Sequence, residues 1–302
     1  VPEVLPVYVR SHSKGLVAHR VAAARERLRA CDLCPRQCGV DRLAGETGFC
    51  RTGERAWVAS FAPHFGEEVP LVGRYGSGTI FFTHCNLGCL FCQNYDISHE
   101  GAGQPMTHAQ LAEIMLRLQH LGCHNINLVS PSHVVPQILA ALDIAIPRGL
   151  RVPLVYNSGG YDAPETLALL AGIIDIYMPD FKFWDPAFGK AYCGVPDYPA
   201  VACQALQTMH RQVGDLVTDK GGIARHGMIV RHLVMPQGIA DTRQILAFIA
   251  EQVSRNTYVN LMPQYRPCGR AADFPELARG LSPREFDAAV AAAREIGLSR
   301  LD

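Results

Sequence analysis

The sequence predicts an α/β fold: an open, partial (βα)6 barrel with an N-terminal cysteine-rich appendage. Three observations carry this expectation. From Gly73 to Leu298, short apolar stretches alternate with amphipathic ones in strand–helix order. Six such units with right-handed crossovers fit an open barrel better than a two-sided sheet. The first strand is not followed by a Gly-x-Gly-x-x-Gly turn, which counts against a dinucleotide-binding sheet.

The elements follow in order. Thr79–Thr83 is the first strand, and after a long loop comes the helix Thr107–Leu121. Thr107 and Gln110 supply a capping box, Leu111, Ile114, Met115 and Leu118 share one face, and Gly122 closes the helix in the left-handed conformation. Next come strand Asn125–Ser130, a helix near Val134–Ile146, strand Val152–Asn157, helix Pro164–Ala171 and strand Ile173–Met178. Helix Ala200–Val213 leads to strand Met228–Val234, and Asp241 caps a helix through Val253. Tyr258–Met262 is the sixth strand. Ser282, Pro283 and Glu285 open the last helix, which runs to about Ile296. The strands are mostly apolar along their length, as expected where helices cover their outer face. Residues 72–302 are the barrel. Residues 1–71 form the appendage, with a helix at Leu16–Arg29, a knot of Cys, Gly and Arg at Cys31–Arg55 and a short strand at Trp57–Phe61.

Composition narrows the function. With 48% hydrophobic and 19% charged residues among 302, the chain is globular and long enough for a sizeable core. No apolar run approaches the roughly 18 residues of a membrane span. Lys+Arg and Asp+Glu both number 28, leaving no net field to recruit nucleic acid or a membrane surface. The 11 cysteines are an odd count in a long chain, and Val1–Arg20 contains no apolar export segment. The expected compartment is therefore the reducing cytoplasm, where clustered cysteines hold metal.

The strongest chemical signal is Cys85-x3-Cys89-x2-Cys92, directly after the first strand. A structural zinc site normally closes with four protein ligands. Three thiolates on one loop suit a cubane cluster with one iron left open for substrate. A zinc site completed by His84 or His99, or three unconnected thiols, is the competing reading.

These residues, with Phe91 before the last cysteine, resemble the signature of the radical S-adenosylmethionine (radical SAM) family. The segments GSGTIFF, QNYDIS, YNSGGY, MPDFK, VRHLVMP and NLMPQYRPC resemble its branch related to pyruvate formate-lyase activating enzyme. The resemblance implies a partial (βα)6 barrel and a [4Fe–4S] cluster on Cys85, Cys89 and Cys92. It further implies that the open iron chelates S-adenosylmethionine (SAM), which one electron cleaves to methionine and a 5′-deoxyadenosyl radical. The implied electron donor is a one-electron reductant such as flavodoxin or ferredoxin. The implied substrate is a glycine on a glycyl-radical enzyme, with a small molecule as the alternative. Outside the enzyme class, a two-centre electron-transfer or metal-binding protein would also use the cysteines.

In a parallel barrel the chemistry lies at the C-terminal strand ends. There the family usually carries a Gly-Gly-Glu-like segment after the second strand, whereas this chain has Val129-Ser130-Pro131-Ser132-His133, making Ser130 and Ser132 the candidates. After the third strand, Asn157, Ser158 and Gly159 allow close backbone approach and offer polar groups, unless they are a simple turn. Asp180 and Lys182 end the fourth strand and, two apart, point to one side; the resemblance implies that they border substrate and SAM. Arg231 and His232 are adjacent on the fifth strand, so at most one faces the interior, and His232 is the cofactor-binding candidate.

A second group, Cys31-x2-Cys34-x3-Cys38-x11-Cys50, brings four thiols and three glycines, a complete ligand set for zinc or an auxiliary [4Fe–4S] cluster. It would stabilise the appendage or relay electrons. Cys268 follows the sixth strand, where it could look into the barrel mouth; it and the unpaired Cys123, Cys193 and Cys203 are read as small buried hydrophobes.

Overall fold

A computed structural model describes residues 5–302. The helices α1 (Val7–Ser13) and α2 (Leu16–Glu26) precede β1 (Ala56–His64), α3 (Val69–Val72), β2 (Ser77–Phe82) and β3 (Gln104–Met106). Then come α4 (His108–His120), β4 (Ile126–Val129), α5 (Val135–Ala145), β5 (Leu154–Ser158), α6 (Pro164–Leu170) and β6 (Ile176–Pro179). The chain continues through α7 (Pro186–Cys193), α8 (Tyr198–Val213), β7 (Val217–Thr218) and β8 (Ala224–Leu233). It ends with α9 (Thr242–Phe248), β9 (Tyr258–Met262) and α10 (Pro283–Ile296).

The central sheet is mixed. β2, β4, β5, β6, β8 and β9 pair in that order and run parallel, each reached through a helical crossover. On the other side of β2, β1 pairs antiparallel, and β3 pairs antiparallel with β1. The sequence places only a short strand near β1; the structure makes it a full member of the sheet.

Local chemistry explains the helix limits. Thr107 accepts from the Gln110 amide at 3.2 Å while the Gln110 side chain accepts from the Thr107 amide at 2.9 Å, a reciprocal cap. Ser282 and Glu285 repeat it on α10. Gly122 takes a φ of +89°, the left-handed stop expected after α4. Asp241 departs from expectation: it precedes α9 with a φ of +56°, a backbone that turns its side chain away from the helix amides, and it makes no cap bond. The sequence pattern does not register the short α1, α3, α7, β3 and β7, because two to eight residues carry too little periodicity.

Strand alternation separates two environments. Leu128, Tyr156, Tyr177 and Val230 face the helices and are fully buried, each such side chain contributing about 1.5–3 kcal/mol. The other face carries Val155, Ile176, Met178 and Ile229, which pack with Leu71 of α3 into a separate apolar cluster. Two residues further along the same face come Asn157, Asp180 and Arg231. The concave face is thus apolar at its floor and polar toward the C-terminal strand ends.

The N-terminal helices are fastened to this frame. The Tyr8 hydroxyl donates to the Val152 carbonyl at 2.8 Å and the Ser11 hydroxyl to the Gly172 carbonyl at 2.7 Å. Asp175 accepts from the amides of Val7 at 2.7 Å and Leu154 at 2.9 Å.

Candidate active site

A cavity of about 370 Å³ opens at the C-terminal ends of the parallel strands and is lined by Phe81, Val129, Asn157, Arg231 and Met262 from five of them and by Asp180, the residue directly after β6. Its rim is the loop after β2, which supplies Cys89, Phe91 and Cys92. That loop turns sharply. Gly88 has a φ of +70°, and a Cβ there would stand 2.9 Å from the Phe49 ring. The Leu87 amide lies 3.3 Å from the Cys85 sulfur. Phe91 is buried against Phe183 and Tyr265, with ring centroids 5.8 and 6.3 Å away.

The same cavity is lined by a chain of charges. Lys182 Nζ donates to Asp180 Oδ2 at 2.6 Å, and Arg231 Nε donates to Asp180 Oδ1 at 2.8 Å. A second Arg231 nitrogen donates to Asn157 Oδ1 at 2.8 Å, and a third lies 3.8 Å from Glu67. Burial alone would push the Asp180 carboxyl up, but Arg231 and Lys182 outweigh it and hold it below the ordinary carboxylate range. Desolvation likewise opposes the Lys182 charge, and Asp180 more than offsets it. Glu67 behaves differently: burial raises its pKa despite Arg231, so its proton is held more tightly than usual.

The strand ends are knitted together from behind. The Tyr198 hydroxyl of α8 donates to the Gly159 carbonyl at 3.0 Å and accepts from the Lys182 amide at 2.9 Å. Gly160 has a φ of +75°, and a Cβ there would run into the Asp180 carbonyl.

Three thiols on one loop are one ligand short of a closed zinc site and match a cluster with one open iron. Burial pushes Cys85 up to about 12, so a thiolate needs a positive partner there. Among the described residues, no three His, Cys, Asp or Glu side chains converge where one ion could be held. Cys85, Cys89 and Cys92 instead come from one loop, which brings Cys89 and Cys92 to the wall of the cavity.

A family model described as the radical SAM superfamily matches residues 79–220, spanning the cysteine loop and the Asp180–Lys182 strand end. The chain belongs to the radical SAM superfamily. Membership brings a [4Fe–4S] cluster, SAM and the general radical SAM reaction type, with electrons generally taken from flavodoxin or ferredoxin. The chain is similar to the uncharacterized protein MJ0674 of Methanocaldococcus jannaschii, with 32% identity over 292 residues covering 94% of this chain and 80% of that protein. It is also similar to the uncharacterized protein MJ0808 of the same organism, at 24% identity over 282 residues, 84% of this chain and 78% of that protein. Among the described residues, no helix is long and apolar enough to cross a membrane.

Within this radical SAM site, Cys89, Cys92, Phe91, Asn157, Asp180 and Lys182 meet around one cavity. Other expected residues lie off it. His232 projects to the opposite face of β8, fully buried, with Nδ1 2.7 Å from the Phe181 carbonyl and Nε2 2.9 Å from the Thr242 hydroxyl. Its neighbour Arg231 takes the inward position, as strand alternation requires. The Ser158 hydroxyl donates to buried Asp162 at 2.6 Å, and Ser132 lies beside the same carboxylate. Ser130 adopts a φ of +58° and passes its amide to the Asn157 carbonyl at 2.9 Å. Gly159 packs between Leu87 and the Lys182 stem. Arg231, Glu67 and Tyr198 were not selected from the sequence. Alternation from Ile229 would have singled out Arg231, but Glu67 lies in an irregular segment without periodic signal.

The N-terminal cysteines form a separate group. Cys31, Cys34 and Cys50 are buried and Cys38 is exposed, and all four line one small pocket with Arg36, Arg42 and Phe49. Arg36 donates to the carbonyls of Asn86 at 3.0 Å, Leu87 at 2.9 Å and Cys193 at 2.9 Å, reaching into the catalytic cysteine loop.

Proposed function

We propose that this chain is an activating-enzyme-like radical SAM enzyme that abstracts hydrogen from a substrate held in the cavity of about 370 Å³. The carrying observation is that the three-cysteine loop and the Lys182–Asp180–Arg231 chain line one cavity. In this reading the six parallel strands are the partial (βα)6 barrel, and residues 1–71 are its appendage, with β1 extending the sheet.

Cys85, Cys89 and Cys92 would hold a [4Fe–4S] cluster, which when bound supplies one-electron cleavage of SAM. The protein's residues do the rest. Asp180 stays ionised between two cations and fixes the Lys182 ammonium at the cavity wall, ready for an anionic or hydrogen-bond-accepting group. Arg231 locks Asn157 and Asp180 in place, so neither must reorganise when a ligand enters. Phe91 and its aromatic neighbours exclude water beside the thiols, which limits quenching of a reactive intermediate. The segment similarities to activating enzymes favour a glycine of a glycyl-radical enzyme as the hydrogen donor, and the cytoplasm as the place of action. Cys31, Cys34, Cys38 and Cys50 would hold a second metal centre.

Anaerobic reconstitution with iron, sulfide, reductant and SAM tests the reading. Release of 5′-deoxyadenosine by wild type and none by Cys85→Ala is the expected result; identical behaviour of the two would overturn it.

A further inference from the structure

The cavity proposed above as the substrate site holds one acidic group that its neighbours leave without a hydrogen bond. We infer that this group, Glu67, selects the substrate, and that it selects a cationic nitrogen, an ammonium or guanidinium, carried on an apolar stem. The inference rests on the reading of this cavity as the place where substrate binds.

Glu67 comes from the irregular stretch between β1 and α3, upstream of the residues that match the family model. Its side chain is 8% exposed, yet it lines the cavity. Burying a carboxylate is costly, so such a group ordinarily has hydrogen-bond partners built in around it. Glu67 does not. Arg231 Nη1 lies 3.8 Å away, beyond hydrogen-bond range, and the same guanidinium is already bonded to Asp180 and Asn157, each at 2.8 Å. His64 Nδ1 lies 3.5 Å away, but that nitrogen accepts the Gly66 amide at 3.3 Å and so has no proton to give.

The charges point the same way. Asp180, Glu67 and Glu68 are three carboxyls around two cations, Arg231 and Lys182. Asp180 takes a bond from each cation. Glu68, buried behind the wall, accepts from the Asn260 side-chain amide at 2.9 Å, and its other oxygen has no partner. The group is therefore one positive charge short of neutral. Burial raises the proton affinity of Glu67, so a proton makes up the difference until a ligand cation replaces it.

The surroundings define the rest of the ligand. Asn127 lies beside Glu67, on the same face of β4 as Val129. It is fully buried, and neither its side-chain oxygen nor its nitrogen has a partner. A cationic nitrogen carries several N–H groups, enough to meet the Glu67 carboxylate and the Asn127 oxygen together. Phe81, Val129, Leu233 and Met262 line the same cavity and suit an apolar stem. Lys182, at the other end of the charge chain, is close enough to Cys89 and Cys92 for its charge to favour both thiolates. The two ends of the chain thus serve different groups, Lys182 an anionic or accepting one and Glu67 a cationic one.

Isothermal titration of the anaerobically reconstituted full chain reads binding without SAM cleavage, so this inference and the catalytic reading fail separately. A chain that discriminates amines through Glu67 but releases no 5′-deoxyadenosine loses the catalytic reading alone. The probes are n-butylamine and neutral n-butanol, and the blocked dipeptides acetyl-Gly-Lys-amide and acetyl-Gly-norleucine-amide. Each charged probe is expected to bind about tenfold more tightly than its neutral counterpart, the scale of one charge-assisted hydrogen bond. Glu67→Gln should remove that preference and leave n-butanol binding unchanged. Tighter binding of n-butylamine assigns the cation to a free small molecule, and tighter binding of the lysine dipeptide assigns it to a side chain of a protein substrate; either supports the inference. Equal binding of charged and neutral probes to wild type, or a preference that survives in folded Glu67→Gln, overturns it. So does an equal loss of SAM affinity in Glu67→Gln, which would assign the carboxyl to the ammonium of SAM itself. If Glu67→Gln does not fold, Glu67→Asp takes its place: the charge stays but draws back by one methylene, and the preference should shrink. An unchanged preference in that variant overturns the inference.

Discussion

The Cys193 sulfur lies 3.3 Å from the Cys89 sulfur, and both residues are buried. A thiol this close stands beside a cluster ligand as a hydrogen-bond donor, not at a separate corner of a cubane. Hydrogen bonds to ligand sulfurs favour the reduced, more negative state. Cys193→Ala is therefore expected to keep its iron but to lower the midpoint potential of the catalytic cluster, with Cys193→Ser closer to wild type. An optically monitored redox titration checks this; equal potentials for all three proteins would remove Cys193 from the site.

Lys182 and Arg231 share Asp180, so losing either has a different consequence. Lys182→Met leaves Asp180 bonded to Arg231 and is expected to retain iron content and thermal stability while slowing SAM cleavage or uncoupling it from substrate. Arg231→Met also frees Asn157 and leaves Glu67 without its cation. Stranding buried charge in this way costs on the order of 3–5 kcal/mol, so this variant is expected to melt earlier. Wild-type rate and coupling in folded Lys182→Met would place that lysine outside the chemistry.

Gly160→Ala is expected to destabilise the protein by about 1–3 kcal/mol, because a non-glycine residue there is strained and its methyl would displace the Asp180 carbonyl. Denaturant unfolding measures the loss. Lys182 chemistry should suffer with it, since the carbonyl belongs to the residue that fixes the ammonium.

Acid should weaken the fold through His232. Burial pushes its pKa down to about 4 from an ordinary 6.5, against the favourable Phe181 carbonyl. The unfolded chain then binds the proton more readily than the folded one between those values. Stability from the neutral imidazole is fully present above pH 6.5 and is lost as pH falls toward 4. A shift of this size corresponds to about 3 kcal/mol. His232→Gln should show a flatter stability profile across that window. A wild-type profile equally flat would mean that the imidazole is solvated.

The sequence carried the repeating scaffold because each strand and helix had a local signal: apolar blocks of strand length, two capping boxes, and Gly122 as a stop. It carried the thiols because their spacing within one loop is itself the chemistry. It did not carry contacts made between distant segments. Glu67 reaches Arg231 from an irregular stretch, Tyr198 reaches two strand ends from a helix face, and Cys193 meets Cys89 across 104 positions. Ser158 and His232 looked like cofactor contacts by position, yet their polar atoms are already committed to Asp162 and to Phe181 with Thr242.

Arg36 has an implication for how this protein can be divided. One side chain outside the residues matched by the family model donates two hydrogen bonds to the loop bearing the catalytic thiols, at Asn86 and Leu87, and a third to Cys193 at the end of α7. A chain shortened to begin at residue 72 would leave those three carbonyls without their donor and the loop free to splay. A unit that keeps this loop fastened therefore begins upstream of Arg36. Insertions or fusions are better tolerated at the far end of the molecule than between its two cysteine groups.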